Sequence, residues 1–377
     1  MTLRIVCAGY LIRYPLGGHT WHHLQYLVGL HRLGHDVRFV EEAGWPDSCV
    51  DPVRRDMTSD PSYGLQYMRR IFDQHDLGGR WAYVDVNGAS YGATREEVAQ
   101  WCKRADLVLD LSGVTWLAEF TDARRRALVD TDPVFTQVHA FGKGGGVDRY
   151  DVRFTYGENV HSPRSSMPTD GHQWLPTRQP VVPELWPVTT VPPDAPWSTV
   201  MSWSNFGERT RDGVLYGHKD REFPPYLALP RMAATPMELA TRPPDNIAAR
   251  LAEGGWRLTD PDLVSTDPVA YQQYLRSSRG EFAVAKHAYV STRCGWFSDR
   301  SAGYLASGRP VVLQDTGFSD VLTTGEGLLP FDTPEQALEA MAAVNSDLER
   351  HGKAARHLAE TELSAERVLT HLLDRAL

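Results

Sequence analysis

Cysteine is scarce in this sequence: Cys7, Cys49, Cys102 and Cys294 are scattered over 377 residues with no CxxC and no paired spacing. That argues against a disulfide framework and against a cysteine zinc knuckle. Long apolar runs are also missing. No stretch of about 18 uncharged apolar residues is present to span a bilayer, and the opening MTLRIVCAGYLIRY is too short and too interrupted by arginine for a secretory segment. It reads as a first strand, and a cytoplasmic protein without an integral membrane segment is expected. The third scarcity is positive charge. With 39 Lys and Arg against 48 Asp and Glu, the net charge is -9. A surface that wraps nucleic acid needs a broad basic face, so no nucleic-acid partner is expected, which leaves room for a local basic pocket that takes a small anion.

What is present is globular: 42% hydrophobic and 23% charged residues. At roughly 150 residues per domain, the length points to two domains. LRIVCAG reads as a strand, residues from about Thr20 to Leu33 as a helix stopped by Gly34, and DVRFVEE as the next strand. Helix EEVAQWCKRA then leads into strand DLVLDLSG, helix LAEFTDARRR into strand ALVDTDP, and VRFTYGE follows. Residues 160 to 197 are dense in Pro, Ser and Thr and carry no helical period. A second series begins at STVMSW: strand MELAT, helix NIAARLAEGG, strand WRLTD, helix PVAYQQYLRSSRG, strand HAYVST, helix DRSAGYLASG, strand RPVVLQD and helix TPEQALEAMAAV.

Such alternation implies an α/β fold with parallel sheets covered on both faces. The expected architecture is two Rossmann-like domains facing across a cleft. Residues 1–178 form the first, 179–197 a linker and 198–350 the second, with a C-terminal helix over 351–377 that returns to the first domain. A monomer or a homodimer is expected. Ligands of open α/β sheets bind beyond the carboxyl ends of the strands, which places the site between the domains.

The stretch STRCGWFSDRSAGYLASGRPVVLQDTGFS, residues 291 to 319, is the richest in chemistry. A turn containing Gly295 leads to Ser298 or Asp299 as N-cap of a helix that Gly308 ends. Free backbone N–H groups and the helix dipole suit a diphosphate there, and Arg293 and Arg300 add positive charge. A plain strand–turn–helix with solvated arginines is the alternative. Further on, Asp315 at a strand end can accept hydrogen bonds from sugar hydroxyls, and the Thr316-Gly317 turn lets backbone approach a sugar closely.

The other constellation is GGHTWHH, with His19, His22 and His23. A metal needs several converging ligands, yet Gly17, Gly18 and an N-cap at Thr20 place His19 in the loop, away from His23, and neither an HExxH nor a nearby acidic ligand is present. No metal is expected. At 100° per residue His22 falls on the polar side with Gln25 and Arg32, whereas His23 falls among Leu24, Leu27 and Val28. His19 stands between the first strand and a helix N-terminus, where the dipole favours the neutral imidazole that a general base must be.

TRCGWFS followed by SGRPVV resembles the donor-binding signature of nucleotide-sugar-dependent glycosyltransferases of GT-B architecture, and the Gly-His pair after the first strand, with its helix closing on LGHDV, is similar to the opening of the same proteins. The resemblance implies a UDP or dTDP sugar as co-substrate, held mainly by the second domain, with no permanently bound cofactor. It implies an acceptor, a small molecule or glycan, held mainly by the first. On that resemblance His19 falls at the general base of inverting members, Asp110 is the candidate for the Asp that orients it with Asp132 as competitor, and Lys219 falls where relatives touch the diphosphate. Gly17, Gly18, Trp21 and His22 then border the acceptor side. The sequence departs from the family at several positions. Arg293 and Phe297 replace the His and Asn of the plant-type signature, Ser301 and Ala302 stand where a Glu would bind ribose, and Glu281 is the only Glu between residues 270 and 325, so the Glu pair of retaining relatives is missing. Inversion is therefore expected. A sugar-nucleotide epimerase and a non-catalytic sugar- or nucleotide-binding protein are the alternatives. The Ala-, Arg- and Asp-rich composition points to a high-GC bacterium, with a specialised metabolite or cell-surface glycan as acceptor.

Overall fold

In a computed structural model, which describes residues 2–140, 146–169, 171–203 and 207–377, the short apolar runs become the strands of two sheets. The first half supplies β1 (Arg4–Ala8), β2 (Asp36–Glu42), a hairpin of β3 (Cys49–Asp51) and β4 (Asp56–Thr58), β5 (Trp81–Val84) and β6 (Ser90–Gly92). It continues with β7 (Leu107–Leu111), β8 (Arg126–Asp130), β9 (Val152–Thr155) and β10 (Leu175–Pro176). Its helices are α1 (Gly17–Arg32), α2 (Ser62–Gln74), α3 (Arg95–Arg104) and α4 (Phe135–Ala140). The sheet runs β10-β9-β8-β7-β1-β2-β5-β6, parallel except for β6 against β5. Strands β5 and β7 are buried at every position, as expected of a sheet with helices on both faces.

The second half supplies β11 (Trp197–Val200), a hairpin of β12 (Arg209–Arg211) and β13 (Val214–Tyr216), β14 (Met237–Ala240), β15 (Arg257–Thr259), β16 (Gly280–Ala283), β17 (Val311–Gln314) and β18 (Leu328–Phe331). Its larger sheet, β15-β14-β11-β16-β17-β18, is parallel throughout. The helices are α5 (Lys219–Glu222), α6 (Asp245–Glu253), α7 (Pro261–Ser265), α8 (Pro268–Ser277), α9 (His287–Thr292) and α10 (Asp299–Ala306), followed by α11 (Pro334–Ser346), α12 (Leu348–Thr361) and α13 (Ala365–Ala376). In each sheet the chain reverses its direction of winding at the first strand, between β1 and β7 and between β11 and β16. These are the two topological switch points. None of the helices is long and apolar enough to cross a membrane, among the described residues.

The halves meet through close backbone approaches. A Cβ added to Gly17 would lie 2.7 Å from the Asp267 carbonyl oxygen and 2.7 Å from Tyr271 Cβ, so the start of α1 is pressed onto α8. Behind it, Trp21 Nε1 donates to the Pro268 carbonyl at 2.8 Å. After β9, the Asn159 amide N–H donates to the Cys294 carbonyl at 3.0 Å, and its side chain donates to the carbonyls of Gly317 at 2.9 Å and Arg293 at 3.2 Å. The chain end forms two helices, α12 and α13, where one was expected. The second lies against α1, where a Cβ on Gly29 would come within 2.6 Å of Leu369 Cδ1.

Three local expectations are corrected. Helix α1 begins at Gly17 with Leu16 as N-cap, not at Thr20; packing on α8 requires the bare backbone of Gly17 and Gly18 there and overrides their poor helix propensity. LAEFTDARRR forms only a 3-10 turn over Ala118–Asp122. HAYVST is helix α9, and the strand is the preceding GEFA, disguised in the sequence by Glu281, which is fully buried in β16 and ion-paired to Arg300.

Candidate active site

The carboxyl ends of the two sheets face each other across a cavity of about 290 Å³. Most of the segments that border it leave the carboxyl ends of the two sheets. Tyr10 and His19 come after β1, Ser112 follows β7, Thr131 and Asp132 follow β8, and Tyr156 follows β9; Val200 ends β11 with Met201 to Trp203 after it, and Lys286 comes after β16. A neighbouring cavity of about 480 Å³ shares His19, Asp299 and Arg300 with the first and extends to Arg242, Ser265 and Tyr271.

His19 lies in the first turn of α1, not in the loop, and its ring is 4.4 Å from that of His23 on the same helix face. Its Nε2 is 3.1 Å from the Tyr10 carbonyl oxygen. A carbonyl only accepts, so Nε2 carries the proton and Nδ1 carries the lone pair. Burial, with His23 and His22 beside it, holds His19 well below the ordinary histidine value. His23 is packed as the helical wheel predicts: it is fully buried, pushed down to about 3 by burial, and satisfied by the His19 carbonyl at 3.0 Å and the Tyr10 N–H at 3.4 Å. His22 borders the cavity, with a buried Nε2 that has no hydrogen-bond partner and a pKa lowered to about 4 by burial. Among the described residues no three His, Cys, Asp or Glu side chains converge as a metal site requires.

The opposite wall is cationic. Lys219, at the first position of α5, is 9% exposed and borders the cavity; it makes no ion pair among the described residues, and the carboxylates that act on its charge, Glu281 and Asp299, do so from farther off. Burial and then the neighbouring Arg300 hold its ammonium well below the ordinary lysine value. Arg300 is anchored by Glu281 and by the Val200 carbonyl at 2.9 Å, while its second terminal nitrogen, NH2, is buried without a partner. Ser298 caps α10 without a side-chain hydrogen bond, and the first intrahelical bond there runs from Ala302 to the Ser298 carbonyl. The first turn of α10 lies beside Lys219 and Arg300 at the cavity, and there the Asp299 carboxylate, itself exposed to the cavity, accepts from the Asp299 and Arg300 N–H groups. A buried cation without a partner is costly, and an anionic ligand offsets that cost.

Asp132 belongs to the cavity, although not beside His19: both its oxygens meet Lys286 Nζ, at 2.9 and 2.8 Å, and the Tyr289 hydroxyl donates to it. This pair joins the two halves across the cleft. Asp110 is not brought to His19. It is fully buried behind the cavity, accepting from the Tyr150 hydroxyl and from the Gly113 N–H at 3.1 Å, and burial pushes it up to about 7. The His19 ring is oriented by a backbone carbonyl instead.

Several other candidates serve the seam between the halves. Arg293 has a left-handed backbone, φ 47°, and points its guanidinium at Asp315 (3.5 Å) and Asp320 (3.7 Å). Asp315 in turn closes its own turn, accepting from the Gly317 N–H at 2.9 Å and the Ser319 hydroxyl at 2.8 Å. Thr316 donates to the Trp296 carbonyl at 2.5 Å, and Gly295, φ 83°, makes room for Asn159, whose amide nitrogen would be 2.7 Å from an added Cβ. None of Arg293, Gly295, Asp315, Thr316 and Gly317 borders the cavity. Trp21 packs against Trp186 with ring centroids 4.7 Å apart and planes tilted by 45°, and Gly17 packs on α8, whereas Gly18 reaches the second cavity. Sequence reasoning missed Lys286, Tyr289, Tyr10 and Glu281. The misplaced strand hid the first, since a lysine just beyond a strand's carboxyl end would have been a signal.

No protein-family model matches the chain, and no curated protein matches it by sequence. Solved structures do. An alpha-glucosyltransferase in complex with UDP-glucose and DNA containing an abasic site is 12% identical, with a TM-score of 0.62 over 100% of both chains. HepE of Anabaena, in complex with UDP and glucose, is 11% identical with a TM-score of 0.57 over 99% of each chain. Sucrose-phosphate synthase from Thermosynechococcus elongatus is 13% identical with a TM-score of 0.54, covering 98% of this chain and 97% of that one. The chain has the two-domain GT-B fold over its whole length.

Proposed function

We propose that this GT-B protein is a glycosyltransferase that moves a sugar from a nucleoside-diphosphate sugar, with UDP or dTDP as carrier, to a hydroxyl of a small-molecule or glycan acceptor. The observation that carries the reading is Lys219: a largely buried lysine with no ion pair among the described residues, beside the unpartnered Arg300 nitrogen and the N-terminus of α10. A diphosphate satisfies all three at once. The solved neighbours are complexes with UDP-glucose and with UDP and glucose, which supports the same ligand class. One of them is also in complex with DNA, but a net charge of -9 stands against a nucleic-acid acceptor here.

In this reading residues 198–350 hold the donor and residues 1–178 the acceptor. His19 faces the cavity from the first half while the cations line it from the second. That opposition suits a single displacement with inversion. The acceptor hydroxyl gives its proton to His19 Nδ1 as its oxygen bonds to the anomeric carbon. The bond from that carbon to the diphosphate oxygen breaks, and the leaving charge falls on Lys219, Arg300 and the N–H groups of α10, without a metal. The test is a thermal-shift panel of nucleoside diphosphates and nucleotide sugars, followed by acceptor screening with the anomeric configuration of the product read by NMR. Specific binding raises the melting temperature by mass action. A panel in which no nucleotide stabilises the protein would overturn the reading.

A further inference from the structure

A second charged cavity lies away from the cleft, where α13 covers the β10 edge of the first sheet. It encloses about 360 Å³ and is bordered by Glu158, Arg178, Glu362, Arg367, His371 and Arg375. Arg367, His371 and Arg375 follow one another at four-residue intervals on α13, so they share one face of the helix.

The pairing within this group is uneven. Both carboxylates go to Arg178: its Nε and NH2 reach Glu158 Oε2 at 3.1 and 2.6 Å, and its NH1 is 3.5 Å from Glu362. Arg367 meets only the Thr361 carbonyl at 3.1 Å. Arg375 meets the Pro176 carbonyl at 3.1 Å and His371 Nε2 at 3.4 Å. Two guanidinium groups therefore border the cavity with no carboxylate in ion-pair distance of either among the described residues, in a chain where acids outnumber bases by 48 to 39. On the facing wall, the Glu158 side chain is 8% accessible, and its Oε1 is buried with no hydrogen-bond partner. Water can satisfy neither side as well as one molecule that offers an oxyanion to the arginines and a hydroxyl to the carboxylate. The volume falls in the range of about 300–1,000 Å³ that small-molecule sites occupy.

We propose that this cavity is a second binding site, separate from the cleft, for a small hydroxylated oxyanion, the chemistry shared by sugar phosphates and hydroxycarboxylates. The site is independent of the glycosyltransferase reading. Glu158 precedes Asn159, which holds the second half through three carbonyls, so an occupant touches the seam between the domains.

The experiment is isothermal titration of the full chain carrying Lys219→Met, which removes the buried cation of the cleft, with glucose 6-phosphate, citrate and inorganic phosphate. Saturable binding is expected for glucose 6-phosphate or for citrate, and the one that binds tells whether the anion is a phosphate or a carboxylate. Arg367→Gln/Arg375→Gln, with the first change at an exposed and the second at a half-buried position and the fold checked by circular dichroism, weakens that binding at least about tenfold. Equal affinity in the double variant, or no saturable binding of any of the three, overturns the proposal.

Discussion

His19 Nε2 donates to the Tyr10 carbonyl at 3.1 Å, so a residue of the loop after β1 fixes the tautomer of a residue in the first turn of α1. The lone pair is thereby held on Nδ1, and burial keeps the ring neutral well below the ordinary histidine value. His19→Ala is expected to lower turnover at least about 100-fold while leaving UDP affinity within about twofold. Because the imidazole protonates only at low pH, turnover of the wild type should not fall on the acid side until well below pH 6.5. An acid limb centred at the ordinary histidine value would contradict the assignment.

Asp110→Asn separates two accounts of what orients that ring. Asp110 hydrogen-bonds Tyr150 and Gly113 and lies outside the cavity, so turnover should stay within about threefold, against roughly 100-fold for a lost catalytic base. The same variant has a pH signature. Burial raises the Asp110 carboxyl from 3.8 to about 7, so between those values the native chain holds a proton that the unfolded chain has released. Its contribution to stability is full at acid pH and is lost as pH rises through about 7. Urea denaturation should therefore show Asp110→Asn gaining stability relative to wild type between pH 5 and pH 8.

Much of this arrangement is legible in the residues. Strand–helix alternation carries the two sheets, and the position of His19 after the first strand and of Ser298, Asp299 and Arg300 at a helix start carries both walls of the cleft. Lys286 was not legible, because β16 is a buried strand with a charged residue in it: Glu281 finds Arg300 only in three dimensions. The loop after β17 misleads for a related reason. Asp315 looks ligand-facing by position, yet Arg293, 22 residues earlier, and its own turn consume its oxygens. Pattern locates strand ends; it does not say which side chains have already found partners.

Lys219→Met should weaken donor binding and strengthen the fold together. Lys219 is 9% exposed, so a methionine of similar length removes a charge held where burial disfavours it; a gain of about 1 kcal/mol, roughly 1–2 °C in melting temperature for a chain of this length, is expected. UDP affinity should fall at least about tenfold. Because burial depresses the lysine and a diphosphate beside it would raise it again, UDP binding to wild type should weaken, and its proton uptake grow, as pH rises into the range where the free protein's lysine loses its proton. Calorimetry in buffers of different ionisation enthalpy measures the uptake, and its absence would place the diphosphate elsewhere.

The seam is tested at Asn159, which is 3% exposed. Asn159→Ala keeps the amide bond to Cys294 but strips the carbonyls of Arg293 and Gly317 of a donor, at a cost of about 1–3 kcal/mol in urea denaturation. Asn159→Asp should be worse despite its closer shape, because a carboxylate then faces two carbonyl oxygens with no proton to share. Since every donor contact assigned above lies in the second half and His19 in the first, either change should lower kcat/KM while UDP affinity holds. A parallel loss of UDP affinity would mean that the seam shapes the donor wall itself, not only its alignment with His19.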